Sequence, residues 1–167
     1  MGKISYRLAN FNDLKEICKL VNHAIEEMIK QNIFQWDELY PTMDDFREDI
    51  DKEQLYVGLL DDHIAVIYVL NQDYDDEYEN GDWKYKNEPF YIIHRLCVNP
   101  VFQNKGIARS TLQHIEEELI DLDIHTIRLD VYSQNPFALK LYDSLNYTKA
   151  GYADWRKGRF YLMEKHF

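Results

Sequence analysis

A polar loop between an apolar strand and a helix is the stretch of this sequence best suited to bind a ligand. Residues 96–112 begin as an apolar strand, break at Pro100, pass through a loop that contains Gly106 and enter a helical pattern. The first turn of a helix has backbone N–H groups without partners in the helix, and the positive end of the helix dipole lies there. Such a turn binds phosphate, and Lys105 and Arg109 would add positive charge. The spacing therefore predicts a site for a phosphorylated ligand.

The loop itself excludes two common phosphate motifs. Gln103-Asn104-Lys105-Gly106-Ile107-Ala108 lacks the Gly-Lys-Ser/Thr ending of a Walker loop, and it lacks two glycines of a dinucleotide fingerprint. A single glycine before a helix is, on its own, more often a plain turn. The loop therefore needs a second feature before it indicates a particular ligand.

A second transition from strand to helix follows further along the chain. Asn135 comes after an apolar strand pattern and can cap a helix in which Pro136 takes the first position. Tyr142 lies one turn after Ala138, on the helix face that would meet a sheet. Asn146 stands where a left-handed residue is expected to end this helix.

The composition limits the classes of protein that fit. The chain has 167 residues, of which 46% are hydrophobic, and its formal net charge is −11. This length suits one domain, residues 1–167, with a sizeable core. Because nucleic-acid binders are usually basic, no nucleic-acid partner is expected. An acidic surface would suit a cationic substrate, although acidity for solubility explains the charge equally well.

The sequence also carries an expectation about location. No apolar run approaches the roughly 20 residues that a membrane span needs, and residues 1–7 lack the apolar region of a signal peptide. Cys18 and Cys97 fall in a helical and a strand pattern and are expected to be buried free thiols. These features predict a cytoplasmic protein without a membrane partner.

Hydrophobic periodicity predicts the order β-α-α-β-β-β-α-β-α-β-β, a mixed α/β domain. The predicted strands are Ile4 to Leu8, Leu55 to Leu60, His63 to Leu70, Phe90 to Val98, Thr126 to Tyr132, Lys149 to Trp155 and Arg159 to Glu164. The predicted helices cover residues 12–30, 43–50 (with Thr42 as cap), a segment ending near Leu122 and the segment after Pro136. Asp61-Asp62 is expected to form a hairpin turn.

The two motifs together resemble those of the GCN5-related N-acetyltransferase (GNAT) family. The first is Leu96-x-Val98-x-Pro100-x-x-Gln103-x-x-Gly106-x-Ala108, and the second runs from Asn135 to Tyr147. The match covers residues 92–147. The family usually ends its second motif with Gly-Phe where this chain has Asn146-Tyr147, and asparagine tolerates the left-handed conformation. The resemblance implies the GNAT (acyl-CoA N-acyltransferase) fold, with a mixed, mostly antiparallel central sheet and flanking helices.

The resemblance also implies acetyl-coenzyme A as co-substrate, and no metal. Backbone N–H groups of the Gln103–Ala108 loop would hold the pyrophosphate. The strand Leu96–Val98 would splay from its neighbour and pair with pantetheine, and the Val98 or Cys97 N–H would polarise the thioester carbonyl. Asn135 would contact the pantetheine or adenosine arm; it could equally be a plain helix cap, and the two roles are compatible. The implied binding residues are Leu96, Cys97, Val98, Gln103, Asn104, Lys105, Gly106, Ile107, Ala108, Arg109 and Asn135.

Two side chains are candidates for proton transfer. Tyr142 matches the family's usual general acid, which protonates the departing thiolate; the alternative is a core tyrosine. An attacking amine must lose a proton, and His94 has an imidazole suited to accept it. The alternation of the strand would place Ile92, His94 and Leu96 on one face, although His94 could equally be satisfied inside the sheet. Glu88 and a water relay are further candidates for the base.

Two aromatic segments are candidates for the acceptor site. Phe34, Trp36 and Tyr40 lie between the first two helices, where the family usually borders its acceptor pocket, and their rings could hold an ammonium. A packed hydrophobic cap is the alternative. Residues 71–89 are rich in carboxylates and aromatic rings; they could form a second wall, or a solvated loop with an extended hairpin. The carboxylates lack the fixed spacing of a calcium loop.

These features together predict an acetyl-coenzyme A-dependent N-acetyltransferase. A primary amine of a small molecule or peptide would attack directly in a ternary complex, since no cysteine is clearly placed as an acyl carrier. A non-catalytic coenzyme A-binding or regulatory module on the same fold is the alternative. Dimers are common in the family, so a homodimer is an expectation by analogy.

Overall fold

The computed structural model describes residues 2–167, and Met1 of the predicted 1–167 domain lies outside the described residues. The strands are β1 (Ser5–Leu8), β2 (Leu55–Leu60), β3 (His63–Asn71), β4 (Tyr91–Val98), β5 (Thr126–Tyr132), β6 (Thr148–Trp155) and β7 (Gly158–His166). The α-helices are α1 (Leu14–Lys30), α2 (Met43–Asp51), α3 (Ile107–Asp121) and α4 (Pro136–Ser144). This order and these bounds agree closely with the predicted ones.

The strands form one seven-stranded sheet in the order β1-β2-β3-β4-β5-β7-β6. The pairs β1–β2, β2–β3, β5–β7 and β6–β7 are antiparallel. β4 and β5 are parallel, with Tyr91 opposite Ile127 and Ile92 opposite Arg128. The sheet is therefore mixed and mostly antiparallel, which confirms the predicted fold class.

The first of two compact units comprises, among the described residues, 2–70 and Arg95–Leu112. Its core forms because α1 carries apolar side chains at three- and four-residue spacing and buries that face. Burial contributes about 1.5–3 kcal/mol for each large aliphatic or aromatic side chain. The buried members include Ile17, Leu20 and Val21 of α1, Phe46 and Ile50 of α2, and Leu55, Val57, Ile64, Ile67 and Val69 of the strands.

Local signals in the first unit act as predicted. Thr42 caps α2 in a reciprocal arrangement, because its hydroxyl accepts from the Asp45 N–H while the Asp45 carboxylate accepts from the Thr42 N–H. Asp61 and Asp62 have φ of +50° and +64°, the conformation of a two-residue hairpin turn between β2 and β3.

The second unit comprises Asn71–His94 and Gln113–Phe167. Ile127, Leu129 and Val131 of β5 are all buried, as their alternation predicts. Asn146 has φ of +69°, so it takes the predicted left-handed conformation after α4. Gly158 has φ of +129° at the turn between β6 and β7, a conformation that side chains rarely adopt.

Two expectations about backbone were wrong. Residues 72–90 contain no strand and therefore no extended hairpin; they hold a short 3-10 helix, Asp76–Asn80. The alternation expected through β4 is interrupted, because Arg95 has φ of +51° within the strand. A left-handed residue re-aims the side chains that follow it. The simple two-residue repeat from Ile92 to Leu96 therefore does not hold.

Within residues 2–167 no helix combines the length and the apolar character needed to cross a bilayer. No group of three or more His, Cys, Asp or Glu side chains in the same range is arranged to hold a metal ion. The predicted single domain over residues 1–167 stays a prediction.

Candidate active site

The loop before α3 presents a run of unused backbone donors. Its entry is fixed by Asn99, whose N–H donates to the Ala65 carbonyl and whose amide donates to the Ile64 carbonyl. Within residues 2–167, the N–H groups of Asn104 through Ala108 donate to no protein acceptor. The N–H of Gln103 differs, because it donates to the Pro100 carbonyl at 3.2 Å. The donor set that the loop offers a ligand therefore begins one residue later than predicted.

The backbone of this loop takes the conformations that gather such donors. Asn104 and Gly106 have φ of +64° and +72°, and successive N–H groups in mixed left- and right-handed conformations form anion-binding concavities. A Cβ built on Gly106 would have nothing within 4 Å, so open space lies above its Cα. The side chains of Lys105 and Arg109 are exposed beside it. The loop therefore has the donors, the charge and the room for a phosphorylated group.

The end of β4 is apolar and contains the unreactive thiol of Cys97. Cys97 is 6% exposed, and burial raises the pKa of its thiol to about 12. Leu96 and Val98 are partly buried and pack with Ile107. Because a thiolate is the nucleophilic form of cysteine, Cys97 is unsuited to carry an acyl group at neutral pH.

Arg95 follows His94 in β4, and its side chain is mostly buried. Its Nε and Nη2 donate to the two carboxylate oxygens of Asp49 at 2.9 and 2.5 Å, and its Nη1 donates to the Tyr40 hydroxyl at 2.7 Å. Burial raises the pKa of Asp49, while the Arg95 guanidinium opposes that shift. Arg95 thus joins β4 to α2 and to the segment before α2.

The predicted acceptor residues of the first unit separate into two kinds. Trp36 is 9% exposed and belongs to the hydrophobic core, so the alternative of a packed aromatic side chain applies to it. Phe34 and Tyr40 are 47% and 39% exposed and present their rings to solvent. The two kinds differ in packing, because the large indole of Trp36 lies against core side chains.

Tyr142 lies on α4 in the second unit and is 8% exposed. Its ring packs edge-on against Tyr147, with centroids 5.4 Å apart. Burial raises the pKa of Tyr142, and the carboxylate of Asp130 raises it further. The hydroxyl is therefore protonated at neutral pH, the state that a proton donor needs.

Asn135 has the structural role that its position predicts. Its side-chain oxygen accepts from the Ala138 N–H at 3.1 Å, and Pro136 occupies the first turn of α4. The helix-cap alternative is thus real for this residue. A contact of its amide with a ligand stays a prediction.

The Nε2 atom of His94 contacts two oxygen atoms. Its Nε2 lies 2.8 Å from the Asn71 Oδ1 and 3.0 Å from the Asp73 carbonyl oxygen. A carbonyl oxygen only accepts, so Nε2 carries a proton, and in the neutral ring Nδ1 is the nitrogen with the lone pair. The contacts of Nε2 therefore orient the imidazole.

The acidic, aromatic segment after β3 is anchored rather than simply solvated. Tyr78 is 3% exposed, and its hydroxyl donates to the Asp130 carboxylate at 2.7 Å. The Trp83 indole N–H donates to the Tyr78 carbonyl at 2.8 Å. These contacts fix the middle of the segment on the second unit.

A buried ion pair fixes the end of the same segment. The Arg128 guanidinium lies 4.2 Å from the Trp83 ring centroid and 3.8 Å from that of Phe90. Its Nε donates to the Glu164 carboxylate at 3.3 Å, and that carboxylate also accepts from the Lys84 N–H at 3.0 Å. Desolvation lowers the pKa of Arg128, while Glu164 opposes the shift.

Sequence reasoning passed over Arg95 and Arg128 as site-forming residues. Both are charged residues in the middle of apolar strands. A buried charge needs a partner, so the sequence indicated that both arginines form ion pairs. It did not indicate with which residues, because the partners lie 46 and 36 residues away along the chain.

Taken unit by unit, the structure groups the predicted residues as follows. In the first unit, the loop donors follow directly on β4, and Phe34, Trp36 and Tyr40 belong to the same unit. In the second unit lie His94, Asn135 and Tyr142. A sheet of this topology, followed by a donor-rich loop between β4 and α3, is the acyl-CoA N-acyltransferase fold.

Comparison with known proteins identifies the family. The chain matches the model of the Acetyltransferase (GNAT) family over residues 21–147, which is most of its length. The chain therefore belongs to the Acetyltransferase (GNAT) family, and the resemblance seen in its two motifs is confirmed.

Individual relatives are more distant. A ribosomal protein bS18-alanine N-acetyltransferase from Salmonella typhimurium is 34% identical over 58 residues, which are 35% of this chain and 39% of that protein. The match thus spans well under half the length of that relative. A GNAT-family acetyltransferase from Streptococcus agalactiae superposes with a TM-score of 0.86 at 24% identity, over 98% of this chain and 95% of that chain.

A third relative was solved with a ligand. The PaiA N-acetyltransferase from Thermoplasma acidophilum, in complex with coenzyme A, has a TM-score of 0.73 at 16% identity, over 99% of this chain and 100% of that chain. At such identities the structural likeness shows a shared fold.

Proposed function

We propose that this chain is an acetyl-coenzyme A-dependent N-acetyltransferase. The observation that carries the proposal is the run of five backbone N–H groups, Asn104 through Ala108, that have no acceptor in the described part of the chain. Membership of the GNAT family and the coenzyme A complex of a protein with the same fold support the same ligand. The predicted single domain over residues 1–167 is part of this proposal.

The loop before α3 fits a pyrophosphate. Its N–H groups, the open space over Gly106 and the exposed Lys105 and Arg109 supply donors, room and charge for an anion. Leu96 and Val98 would flank the pantetheine arm, and the Val98 or Cys97 N–H would face the thioester carbonyl. When bound, acetyl-coenzyme A supplies the activated acetyl thioester.

The proposed reaction is direct attack by the amine in a ternary complex. The alternative, transfer through an acyl-cysteine, needs a thiolate. Burial raises the pKa of Cys97 to about 12, and burial also raises that of Cys18. Both thiols therefore stay protonated at neutral pH, which supports the direct route.

Tyr142 is proposed as the general acid. Its raised pKa keeps the hydroxyl protonated, so it can donate to a developing thiolate. Tyr142→Phe should lower kcat by on the order of 100-fold and leave acetyl-coenzyme A affinity within about twofold. Tyr152→Phe, which changes an exposed tyrosine of β6, is the control. A Tyr142→Phe enzyme with unchanged kcat would remove this residue from the mechanism.

His94 is proposed as the general base through Nδ1. Its Nε2 is already committed to Asn71 and Asp73, and such a second contact orients a catalytic imidazole. His94→Ala should remove the acidic limb of the pH–rate profile, whereas His63→Ala, at an exposed histidine of β3, should leave it in place. A complete profile in His94→Ala would transfer the role to Glu88 or to a water relay.

The acceptor is proposed to be a primary amine of a small molecule or a peptide N-terminus. A relative named as a ribosomal protein alanine N-acetyltransferase favours the peptide. The exposed rings of Phe34 and Tyr40 would contact the acceptor, with Trp36 supporting them from the core. Residues 71–89 would add an acidic wall.

Thermal shift with two ligands tests the cofactor part of the proposal. Acetyl-coenzyme A at 100 times its Kd should stabilise the protein by about 2.7 kcal/mol, whereas acetyl-pantetheine, which lacks the pyrophosphate, should give a much smaller shift. Lys105→Ala with Arg109→Ala should weaken the first effect, and Lys15→Ala on the exposed face of α1 should not. Equal shifts with both ligands would contradict a pyrophosphate site in this loop.

A coenzyme A-binding module without catalysis is the second candidate. It would show the same thermal shift without amine-dependent thiol release. The remaining expectations, a cytoplasmic location, a homodimer and the absence of a nucleic-acid or membrane partner, stand as proposals beside the enzymatic function.

A further inference from the structure

We infer that Arg95 is a positioning residue for the amine acceptor. It holds the Tyr40 hydroxyl and the turn Asp37–Tyr40 in place, and thereby sets the KM for the acceptor. This inference rests on the proposed function, in which Tyr40 contacts the acceptor. Arg95 itself is not proposed to touch either substrate.

The backbone of Arg95 has an unusual conformation for a strand residue. Its φ of +51° lies in the left-handed region, which residues with a side chain seldom adopt and which persists only where the surroundings hold it. The side chain is 16% exposed although a strand arginine can extend into water. The strand is therefore shaped to send this guanidinium inward.

The Arg95 guanidinium uses three of its nitrogen atoms at once. Nε and Nη2 take both carboxylate oxygens of Asp49, and Nη1 is left to reach Tyr40. Only a planar fork with several donors can make these three bonds at once, so lysine cannot replace it. Asp49 is 5% exposed and neutralises the charge.

The turn Asp37–Tyr40 is held by hydrogen bonds of its own and lies at the surface. Asp37 and Tyr40 exchange backbone hydrogen bonds at 3.0 and 3.3 Å, and the Leu39 N–H donates to the Asp37 carboxylate at 3.0 Å. Leu39 and Tyr40 are nevertheless 64% and 39% exposed. An exposed turn opens more easily than a packed one. The bond from Arg95 ties this exposed turn to β4 and, through Asp49, to α2.

Steady-state kinetics of Arg95→Lys tests the inference. Lysine keeps the charge and loses the fork, so the acceptor KM should rise about tenfold, as expected for loss of a charge-assisted hydrogen bond. The KM for acetyl-coenzyme A and kcat should each change less than about twofold, a discrimination threshold well below one tenfold step. Arg159→Lys is the matched control, because Arg159 makes the same fork to Asp154 on an exposed hairpin. It should change none of the three constants.

Tyr40→Phe keeps the inference testable if Arg95→Lys folds poorly. It removes the hydroxyl and leaves the Arg95–Asp49 pair intact, so the acceptor KM should rise about threefold, as for loss of one weaker bond. The double variant Arg95→Lys/Tyr40→Phe should be no worse than Arg95→Lys, because both changes remove the same contact. Additive effects, or an unchanged acceptor KM in both single variants, would overturn the inference.

Hydrogen exchange separates this inference from the proposed function. The amides of Leu39 and Tyr40 should exchange about tenfold faster in Arg95→Lys than in wild type or Arg159→Lys. If no amine is acetylated by the wild type, the proposed function fails, and this exchange result still decides whether Arg95 holds the turn. Equal exchange in all three proteins, or a rise in both KM values together with a fall in kcat, would leave Arg95 with a merely structural role and overturn the inference.

Discussion

Arg95 and Arg159 each bind an aspartate through both carboxylate oxygens and contact a tyrosine, in very different surroundings. Arg95 and Asp49 have side chains 16% and 6% exposed. Arg159 and Asp154 have side chains 47% and 60% exposed, and the Arg159 guanidinium lies 3.7 Å from the Tyr152 ring centroid. The first pair joins residues 46 apart, and the second joins residues 5 apart.

The difference shows what burial adds to the same chemistry. Water already solvates the exposed pair and screens it, so the pair contributes little to stability. The buried pair has lost its water, and each charge depends on the other. It also connects segments that are distant in sequence. The Arg95 pair can therefore position a site. The Arg159 pair lies on a hairpin whose conformation is already set by the backbone pairing of β6 with β7.

The largest expected contrast comes from removing one partner of each pair. Asp49→Ala should lower the free energy of unfolding by about 3–5 kcal/mol, because it leaves the Arg95 charge buried without compensation. Asp154→Ala should leave the free energy of unfolding unchanged within error. Urea unfolding at constant m value measures both. Similar losses in the two variants would end the distinction drawn between the pairs.

The Tyr147 hydroxyl is a buried polar group whose removal should raise the stability of the protein, in contrast to the removal of Asp49. The Tyr147 hydroxyl is buried and has no hydrogen-bond partner in the described residues, and burial raises its pKa well above the ordinary value. Tyr147→Phe should therefore stabilise the protein by about 1–3 kcal/mol. Tyr152→Phe is the exposed control. A loss of stability in Tyr147→Phe would mean that the hydroxyl has a partner after all.

The cap of α2 allows a smaller test of how that helix is held. Thr42 fixes its start through the reciprocal bonds with Asp45, while Arg95 binds Asp49 near its end. Thr42→Ala should cost about 1 kcal/mol, clearly less than Asp49→Ala, by the same urea measurement. If the two variants cost the same, the Arg95 pair is no stronger than an ordinary cap.

The pH dependence of the two aspartates gives the smallest effect and opposite signs. Burial raises the pKa of Asp49 above the ordinary 3.8, whereas the hydrogen bond from Arg159 lowers that of Asp154 below it. The Asp49 shift stabilises the fold fully below 3.8, and that contribution is lost as pH rises through its folded pKa. The Asp154 shift stabilises above 3.8, and that contribution is lost as pH falls through its folded pKa.

Carboxyl NMR titration measures both values directly. Asp49 should titrate above 3.8 and Asp154 below it, and Arg95→Lys should move only the Asp49 titration. Two coincident titrations near the ordinary value would contradict the burial argument for the first pair.

The elements of the fold were predictable because their signals are local. The alternation of apolar residues predicted both ends of β5, Thr126 and Tyr132. The side-chain oxygen of Asn135 caps α4 and the hydroxyl of Thr42 caps α2, as their positions predicted. Burial of one face and satisfaction of helix-end N–H groups depend on neighbours in sequence. The order of elements followed from them.

The site was predictable only where it is built from contiguous backbone. The loop from Asn104 to Ala108 could be expected from a glycine before a helix. The left-handed Arg95 could not, because no glycine marks it and its fork depends on residues brought together by folding. The anchoring of Tyr78 to Asp130 and the burial of Trp36 likewise depend on tertiary contacts, which periodicity does not encode.

Amine-dependent release of coenzyme A thiol is the decisive measurement for N-acetyl transfer by this chain. The protein is mixed with acetyl-coenzyme A and a panel of primary amines and peptides with free N-termini, and thiol release is measured beside the N-acetylated product by mass spectrometry. Direct acetyl transfer predicts thiol release that requires an amine, equals the product formed and falls sharply in Tyr142→Phe. Stabilisation by acetyl-coenzyme A without amine-dependent release from any member of the panel would contradict it.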